Sequence, residues 1–521
     1  MGLSNSALQM DEGVDTFISL TILKYGFPRH SDGIRSVMEY ADVHDGLFVY
    51  RTWLPYYAQA LSISLFGKTT FGARFPFALT GIFSILSLYG LGFKITGKRS
   101  VGFTAGLLFA SCVPALLYFR CARYIGFPVL FSVFITWTYL KVFENKRWSP
   151  WLFIVIGALY FHSMYVEFAG SMMGICLHLI FHRRYVLPKN LRIFWFAVIV
   201  LVVLTLPWIL FISPVFAKVI ETFQARGVGL EPSFLIYIKR FLSFIFQINI
   251  FVFPFVMIPV LWSRFLRPRL FHIQLLLFII LAIILSATLN SIPTQNYIFA
   301  AFPLIFLILG IIVMEGFPFG KWFRVSVLAI LLGTNIFHVS PLYPVRWVAD
   351  VLPQTVEASH YLRSAAASFK NTVKLDSLTY DYVYEISHPY KGTLDYVVEF
   401  FKRNGEAGEL CFIDSEEVSF AFYTDMEVIQ KYEMTTDLRP DWIVLRNNFL
   451  RNFERKTPAR LKVARKIETI LKEGRYQKIE IKAPIWRYNN AYDIRLHIFN
   501  ASTIKIGDIV IYKLIKTAQF Q

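Results

Sequence analysis

Between Phe75 and Phe337 the chain is a succession of apolar runs separated by short polar breaks. Runs of roughly 17 to 25 residues suffice for a helix to cross a hydrocarbon layer about 30 Å thick. The pattern predicts about ten helices, over 75–93, 101–119, 126–140, 151–161, 168–181, 194–211, 241–262, 270–289, 297–314 and 323–337. The fourth and fifth are short and read either as two helices or as one bent, re-entrant unit.

Two regions depart from this pattern. Residues 1–73 crowd Asp11, Glu12, Asp15, Asp32, Glu39, Asp42, His44 and Asp45 into a stretch too polar for lipid, and end in an aromatic amphipathic run, 53–66, suited to the membrane interface. From Val339 onward charges of both signs appear at ordinary density. There 393–402 has helical spacing closed by Asn404-Gly405, 410–413 and 442–445 read as short buried strands, and 461–473 as an amphipathic helix. The expected architecture is a first extracytoplasmic segment over 1–73, a polytopic helical membrane bundle over 74–338, and a soluble α/β domain over 339–521.

Charge in the connecting loops sets an orientation. Lys94, Lys98, Arg99, Lys141, Lys146, Arg147, Arg183, Arg184, Lys189, Arg192, Arg264, Arg267, Arg269, Lys321 and Arg324 fall in one alternating set of breaks. The opposite short breaks carry only Arg120 and Arg123. Basic loops stay on the cytoplasmic side, so the N-terminal segment, the Arg120 loop and the C-terminal domain are expected on the other face.

Composition agrees with a membrane protein: 55% of residues are hydrophobic and 17% charged, where a soluble surface needs about a quarter charged. The net charge of +18 lies in those loops rather than on one amphipathic face, which argues against nucleic acid as a partner. Cys112, Cys121, Cys176 and Cys411 are scattered, mostly within apolar runs, and suggest neither a disulfide framework nor a metal cluster.

The candidate chemistry lies on the external face, where the acidic pair Asp11-Glu12 shares a side with Arg51, Arg120 and Arg123. Sugar transfer from a lipid phosphate needs a carboxylate to take the acceptor's proton and cations to hold the departing phosphate. Arginine suits the second task, because its planar fork grips phosphate oxygens and keeps its charge at physiological pH. A charge at mid-bilayer costs about 2.5 to 3.5 kcal/mol on insertion scales, so Arg120 and Arg123 either face such a site or anchor helix ends at the interface. His162 and Glu167 flank an external turn and offer two ligands to a divalent cation, too few for a site by themselves.

The blocks Asp11-Glu12-Gly13, Arg51-Thr52-Trp53-Leu54-Pro55-Tyr56-Tyr57, Leu65-Phe66-Gly67, Phe71-Gly72-Ala73-Arg74 and Arg120-Cys121-Ala122-Arg123-Tyr124 occur in an order that resembles the GT-C glycosyltransferases of the protein O-mannosyltransferase and lipid A aminoarabinose transferase superfamily. The resemblance spans about residues 8–316 and is strongest before Leu130. It implies inverting transfer from a polyprenyl-phosphate sugar to an acceptor hydroxyl on a protein, lipid or glycan, with no required cofactor, in the bacterial inner membrane. Asp11 matches the family's catalytic aspartate, with Glu12 in support. Arg51 stands where relatives place a donor-phosphate contact, and Arg120, Arg123 and Tyr124 fall in the same expected site. Tyr56, His162, Glu167, Gln295 and Tyr297 are further candidates to line the substrate, although Gln295 is neutral where many relatives carry a base.

One departure concerns the start of the chain. Relatives have a membrane helix before the Asp-Glu loop, whereas only ten residues precede Asp11, so the start is misassigned, the chain is truncated or the first helix is dispensable, and a misassigned start is the favoured expectation. Without that helix Asp11 would hang from a mobile end. The rival function is a polytopic lipid or sugar transporter, whose pathway would also carry intramembrane charges; the clustering of charge on one face and the lack of an inverted repeat weigh against it.

Overall fold

The computed structural model describes residues 2–144, 146–185, 187–225, 234–290, 293–340, 375–429, 439–445, 458–473, 475–484 and 490–515. These fall into two compact units: Met1–Pro76 with Arg120–Tyr124 and Tyr384–Gln521, and Phe77–Phe119 with Ile125–Val383.

Helices α1 (Met10–Tyr25) and α2 (Leu54–Phe66) belong to the first unit, as do the opening turns of α3 (Thr70–Thr96). Glu12, Asp15, Thr16 and Ser19 recur every three or four residues along α1, so they share one face, and that face is buried. Its polar groups are matched from α2, where Gln59 bonds Ser19 through Oε1 (2.7 Å) and Thr16 through Nε2 (2.9 Å). The opposite side of α2 exposes Leu61 and Leu65. Helix α2 thus buries Gln59 and Ser62 among Tyr56, Ala60 and Ile63 while its exposed side is apolar, unlike a soluble surface helix.

The rest of the second unit's helices are α4 (Arg99–Ala110), α5 (Val113–Phe119), α6 (Gly126–Val142), α7 (Ser149–Phe161), α8 (Tyr165–His182), α9 (Pro188–Ala225), α10 (Phe234–Phe251), α11 (Leu270–Ala287), α12 (Phe302–Glu315), α13 (Lys321–Gly333) and α14 (Ile336–Val339). Among the described residues, six helical segments are long and apolar enough to cross a membrane, Thr70–Thr96, Tyr165–His182, Pro188–Thr222, Phe234–Phe251, Arg264–Ala287 and Gln295–Glu315. The chain is a multi-pass membrane protein. Helix α9 shows the lipid-facing character most plainly, with Val202, Val203, Leu204, Leu206, Ile209 and Leu210 all exposed. Where α8 meets α11 the packing uses small residues: a Cβ at Gly170 would stand 2.9 Å from Ile283 Cα, and Gly174 four residues on faces Ile279 as closely.

Two predicted runs differ in detail, and the choice left open for two others is settled. The run over 101–119 is two helices, α4 and α5, bent by 69° at a break before Pro114. The run over 241–262 is not one helix: α10 stops at Phe251, Pro254 blocks its continuation, and Phe255–Trp262 is 3₁₀ around Pro259. Residues 151–161 and 168–181 form two separate helices, α7 and α8, rather than one re-entrant unit.

Past residue 374 the described chain contains α15 (Leu378–Ser387), α16 (Thr393–Asn404), α17 (Glu417–Tyr423) and α18 (Pro458–Lys472), with strands β1 (Leu410–Ile413), β2 (Glu427–Ile429), β3 (Trp442–Leu445), β4 (Tyr476–Pro484) and β5 (Ile506–Leu514). The sheet order is β2-β1-β3-β5-β4, parallel through β2, β1 and β3 and antiparallel at β5 and β4. Alternate side chains leave opposite faces. Cys411, Ile413, Trp442 and Val444 join Leu394, Val397 and Phe401 of α16, while Phe412, Ile443 and Ile429 join Val463, Ile467 and Ile470 of α18. An α/β region results, with the sheet covered on both sides where its strands are wholly apolar.

Gly13 marks where α1 and α17 touch. A Cβ there would lie 2.8 Å from the backbone nitrogen of Ser419, too close for either backbone to stay in place. Gly13→Ala is expected to destabilise the first unit by about 1–3 kcal/mol. A melting curve of the detergent-solubilised chain checks this, and an unchanged midpoint would mean the contact yields easily.

Candidate active site

Helix α1 begins at Met10, which puts Asp11 and Glu12 in its first turn, where the helix dipole favours carboxylates. Four residues after Asp11 comes Asp15, on the same side of the helix. These three acids have different surroundings and therefore different capacities.

Glu12 is wholly buried. Its Oε1 accepts from Arg74 Nε (2.8 Å) and the Ala122 backbone (2.7 Å), and its Oε2 from Arg74 Nη2 (2.9 Å) and the Gln9 backbone (2.8 Å). A carboxylate offers about four lone-pair sites, and all are taken. Glu12 therefore has no position left from which to accept a substrate proton. Arg74, also buried, directs its remaining donors to the carbonyls of Leu3 (2.9 Å), Ser6 (3.0 Å) and Ala7 (3.1 Å). The Ala7 amide bonds Asp395 Oδ1 (2.7 Å), and the Leu8 amide bonds Tyr423 Oη (2.9 Å). The residues ahead of Asp11 are thus fastened within the first unit, contrary to the expected loose end.

Asp15 is the hub that binds the arginines. Its side chain is 1% exposed, and its Oδ1 accepts from Arg51 Nη1 (2.6 Å) and Tyr56 Oη (3.2 Å), its Oδ2 from Arg123 Nη1 (3.0 Å). Both guanidinium groups lie over the Tyr124 ring, at 5.1 Å for Arg51 and 5.2 Å for Arg123. Burial lowers the pKa of each arginine, but Asp15 together with Asp11 and the neighbouring tyrosines outweighs it, so the two remain cations. Burial, reinforced by Asp15, raises the Tyr56 phenol well above its usual value and keeps it a donor.

Asp11 is the open acid. Its side chain is 42% exposed, with Arg123 Nη2 3.7 Å from Oδ2, and the same Oδ2 accepts from Tyr492 Oη at 2.6 Å. Oδ1 has no hydrogen bond to any described residue. Burial pushes the Asp11 carboxyl up, but Arg123, the Tyr492 hydrogen bond and Arg51 together hold it below the usual carboxylate range. An ionised carboxylate with one oxygen bonded to no described residue, beside the buried Arg123 and the partly exposed Arg51, can take a proton from a nucleophile while an anion sits nearby.

The structure brings together Asp11, Glu12, Arg51, Tyr56, Arg123 and Tyr124. It places Arg120 differently: its Nη2 donates to Glu385 Oε1 (2.9 Å) and to Asn490 Oδ1. His162, Glu167, Gln295 and Tyr297 lie in the second unit. His162 caps the end of α7 with its ring 5.6 Å from that of Trp208. Glu167 is buried in the first turn of α8. Gln295 is fully buried, neither atom of its amide bonded to a described residue, and Tyr297 is half-buried in the same 3₁₀ segment. Among the described residues no three of His, Cys, Asp and Glu are grouped to hold a metal ion.

Five residues have roles that the sequence does not assign: Asp15 as hub, Arg74, Tyr492, Glu385 and His497. The spacing of Asp11 and Asp15 on one helical face carried a signal for the first. Tyr492 and Glu385 lie hundreds of residues from their partners and carried none.

Residues 51–211 match the family model described as dolichyl-phosphate-mannose-protein mannosyltransferase. The crystal structure of ArnT from Cupriavidus metallidurans bound to undecaprenyl phosphate superposes with a TM-score of 0.52 at 14% identity, covering 100% of this chain and 96% of that one. The apo structure of the same ArnT gives a TM-score of 0.46 at 14% identity, covering 79% and 69%. No curated protein sequence matches. The fold is GT-C glycosyltransferase-like.

Proposed function

We propose that this GT-C glycosyltransferase-like membrane protein transfers a sugar from a polyprenyl-phosphate donor to an acceptor hydroxyl on a protein, lipid or glycan, with inversion, on the non-cytoplasmic face of a bacterial inner membrane. The observation that carries the reading is the pairing of one open carboxylate, Asp11, with two arginines gathered by Asp15. The acceptor oxygen attacks the anomeric carbon, its proton passes to Asp11 Oδ1, and the bond from that carbon to the phosphate oxygen breaks. The electron pair leaves on the phosphate, where Arg51 and Arg123 neutralise the growing charge. The ArnT structure contains undecaprenyl phosphate, a ligand of the class this reading requires. Tyr124 beneath both guanidinium planes keeps them in register.

The test is binding of undecaprenyl phosphate to the purified full chain. Arg51→Ala is expected to weaken it about ten-fold or more, the scale of a lost hydrogen bond to a charged group. Binding equal to wild type would remove Arg51 from the phosphate site.

A further inference from the structure

The segment that delivers Tyr492 to Asp11 is held from two sides. Asn490 adopts φ +52°, a left-handed conformation that asparagine tolerates better than most residues, and this turns the chain just before Tyr492. Its side-chain oxygen accepts from Arg120 Nη2. One residue on, the Ala491 carbonyl lies 2.6 Å from His497 Nδ1, and the other ring nitrogen, Nε2, lies 2.9 Å from Glu385 Oε2. Glu385 closes the circuit through Oε1 to Arg120 Nη2 at 2.9 Å. Burial raises the Glu385 carboxyl, but the His497 hydrogen bond and Arg120 bring it below its usual value. A buried network of this kind fixes one geometry.

We infer that Tyr492 is a positioning residue for transfer: its hydroxyl holds Asp11 Oδ2, leaving Oδ1 as the oxygen that receives the acceptor's proton, and the Arg120, Glu385 and His497 network sets where that hydroxyl stands. The inference rests on the function proposed above. It gives Arg120 a part in the site without contact to the donor, and gives the C-terminal segment a part in the chemistry. The Tyr492 ring also lies 5.4 Å from the Arg123 guanidinium, so the phenol touches both charges of the site.

A hydrogen bond to the carboxylate favours its ionised form, so removing it raises the Asp11 pKa. Activity requires the ionised form and would fade at a higher pH. The groups that set this titration are Arg123, Tyr492 and Arg51 around Asp11, with Asp15, Tyr56 and Tyr124 packed against the arginines.

The experiment uses membrane vesicles holding the full chain and measures, by mass spectrometry, consumption of their own glycosylated polyprenyl phosphate across a pH range. Tyr492→Phe keeps the ring over Arg123 and removes only the hydroxyl. The expected result is a rate about ten-fold lower or more, an acid limb moved to higher pH, and unchanged binding of undecaprenyl phosphate. Tyr476→Phe, which loses a hydroxyl bonded to the Pro440 carbonyl at 2.7 Å, should leave rate and limb as in wild type. A Tyr492→Phe chain with wild-type rate and limb overturns the inference while leaving the transferase reading intact. Equal losses in both variants would show a merely structural role for Tyr492, and failure of wild type to consume the lipid would overturn both readings.

Discussion

Asp11→Asn is expected to lower sugar transfer by about 10²- to 10⁴-fold, the usual contribution of a positioned general base. The carboxamide has the size of the carboxylate, and its oxygen still accepts from Tyr492, so the first turn of α1 should be undisturbed. What is lost is a site for the acceptor's proton. The variant should therefore insert and melt like wild type, because the buried bonds that fasten this turn run through Glu12 and Arg74 rather than Asp11. Rates of glycosylated polyprenyl-phosphate consumption in vesicles, beside melting midpoints, separate the two effects. Transfer within a few-fold of wild type would take Asp11 out of the chemistry.

Arg74→Ala should give the opposite profile, with the larger effect on stability. Both partners of its ion pair have side chains 0% exposed, and truncation leaves the Glu12 carboxylate buried without a counter-charge. Breaking such a pair from one side costs about 3–5 kcal/mol. The carbonyls of Leu3, Ser6 and Ala7 lose their donor as well, which should free the residues ahead of Asp11 for proteolysis. Limited proteolysis and a melting curve check this, and a chain as resistant and as stable as wild type would show that the pair contributes little. Two adjacent acids, Asp11 and Glu12, are thus expected to differ in kind: one governs rate, the other the integrity of the ground on which the rate depends.

The membrane helices were legible because lipid imposes one long apolar pattern on every span. Their breaks were less so, since Pro114 and Pro254 interrupt runs whose hydropathy never falters. In the C-terminal region the strands over 410–413 and 442–445 were readable because both faces are buried and every side chain is apolar. Strands β4 and β5 escaped notice: Lys478, Glu480 and Lys482 alternate with apolar residues along a half-exposed edge. Within the site, Asp11 and Arg51 stood out through resemblance. Arg120 was assigned alongside them by its place beside Arg123 in the same short segment, yet its guanidinium is engaged by Glu385, a partner 265 residues away in the chain. Proximity in sequence could not separate two arginines that point to different carboxylates.

The most direct test of the account compares the polyprenyl-phosphate lipids of cells carrying the wild-type chain with those of cells carrying Asp11→Asn at equal membrane abundance. A block in transfer predicts that one glycosylated polyprenyl phosphate accumulates in the variant while a surface glycan, lipid or glycoprotein loses the same sugar. Identical lipid pools and identical glycans in the two strains would contradict it.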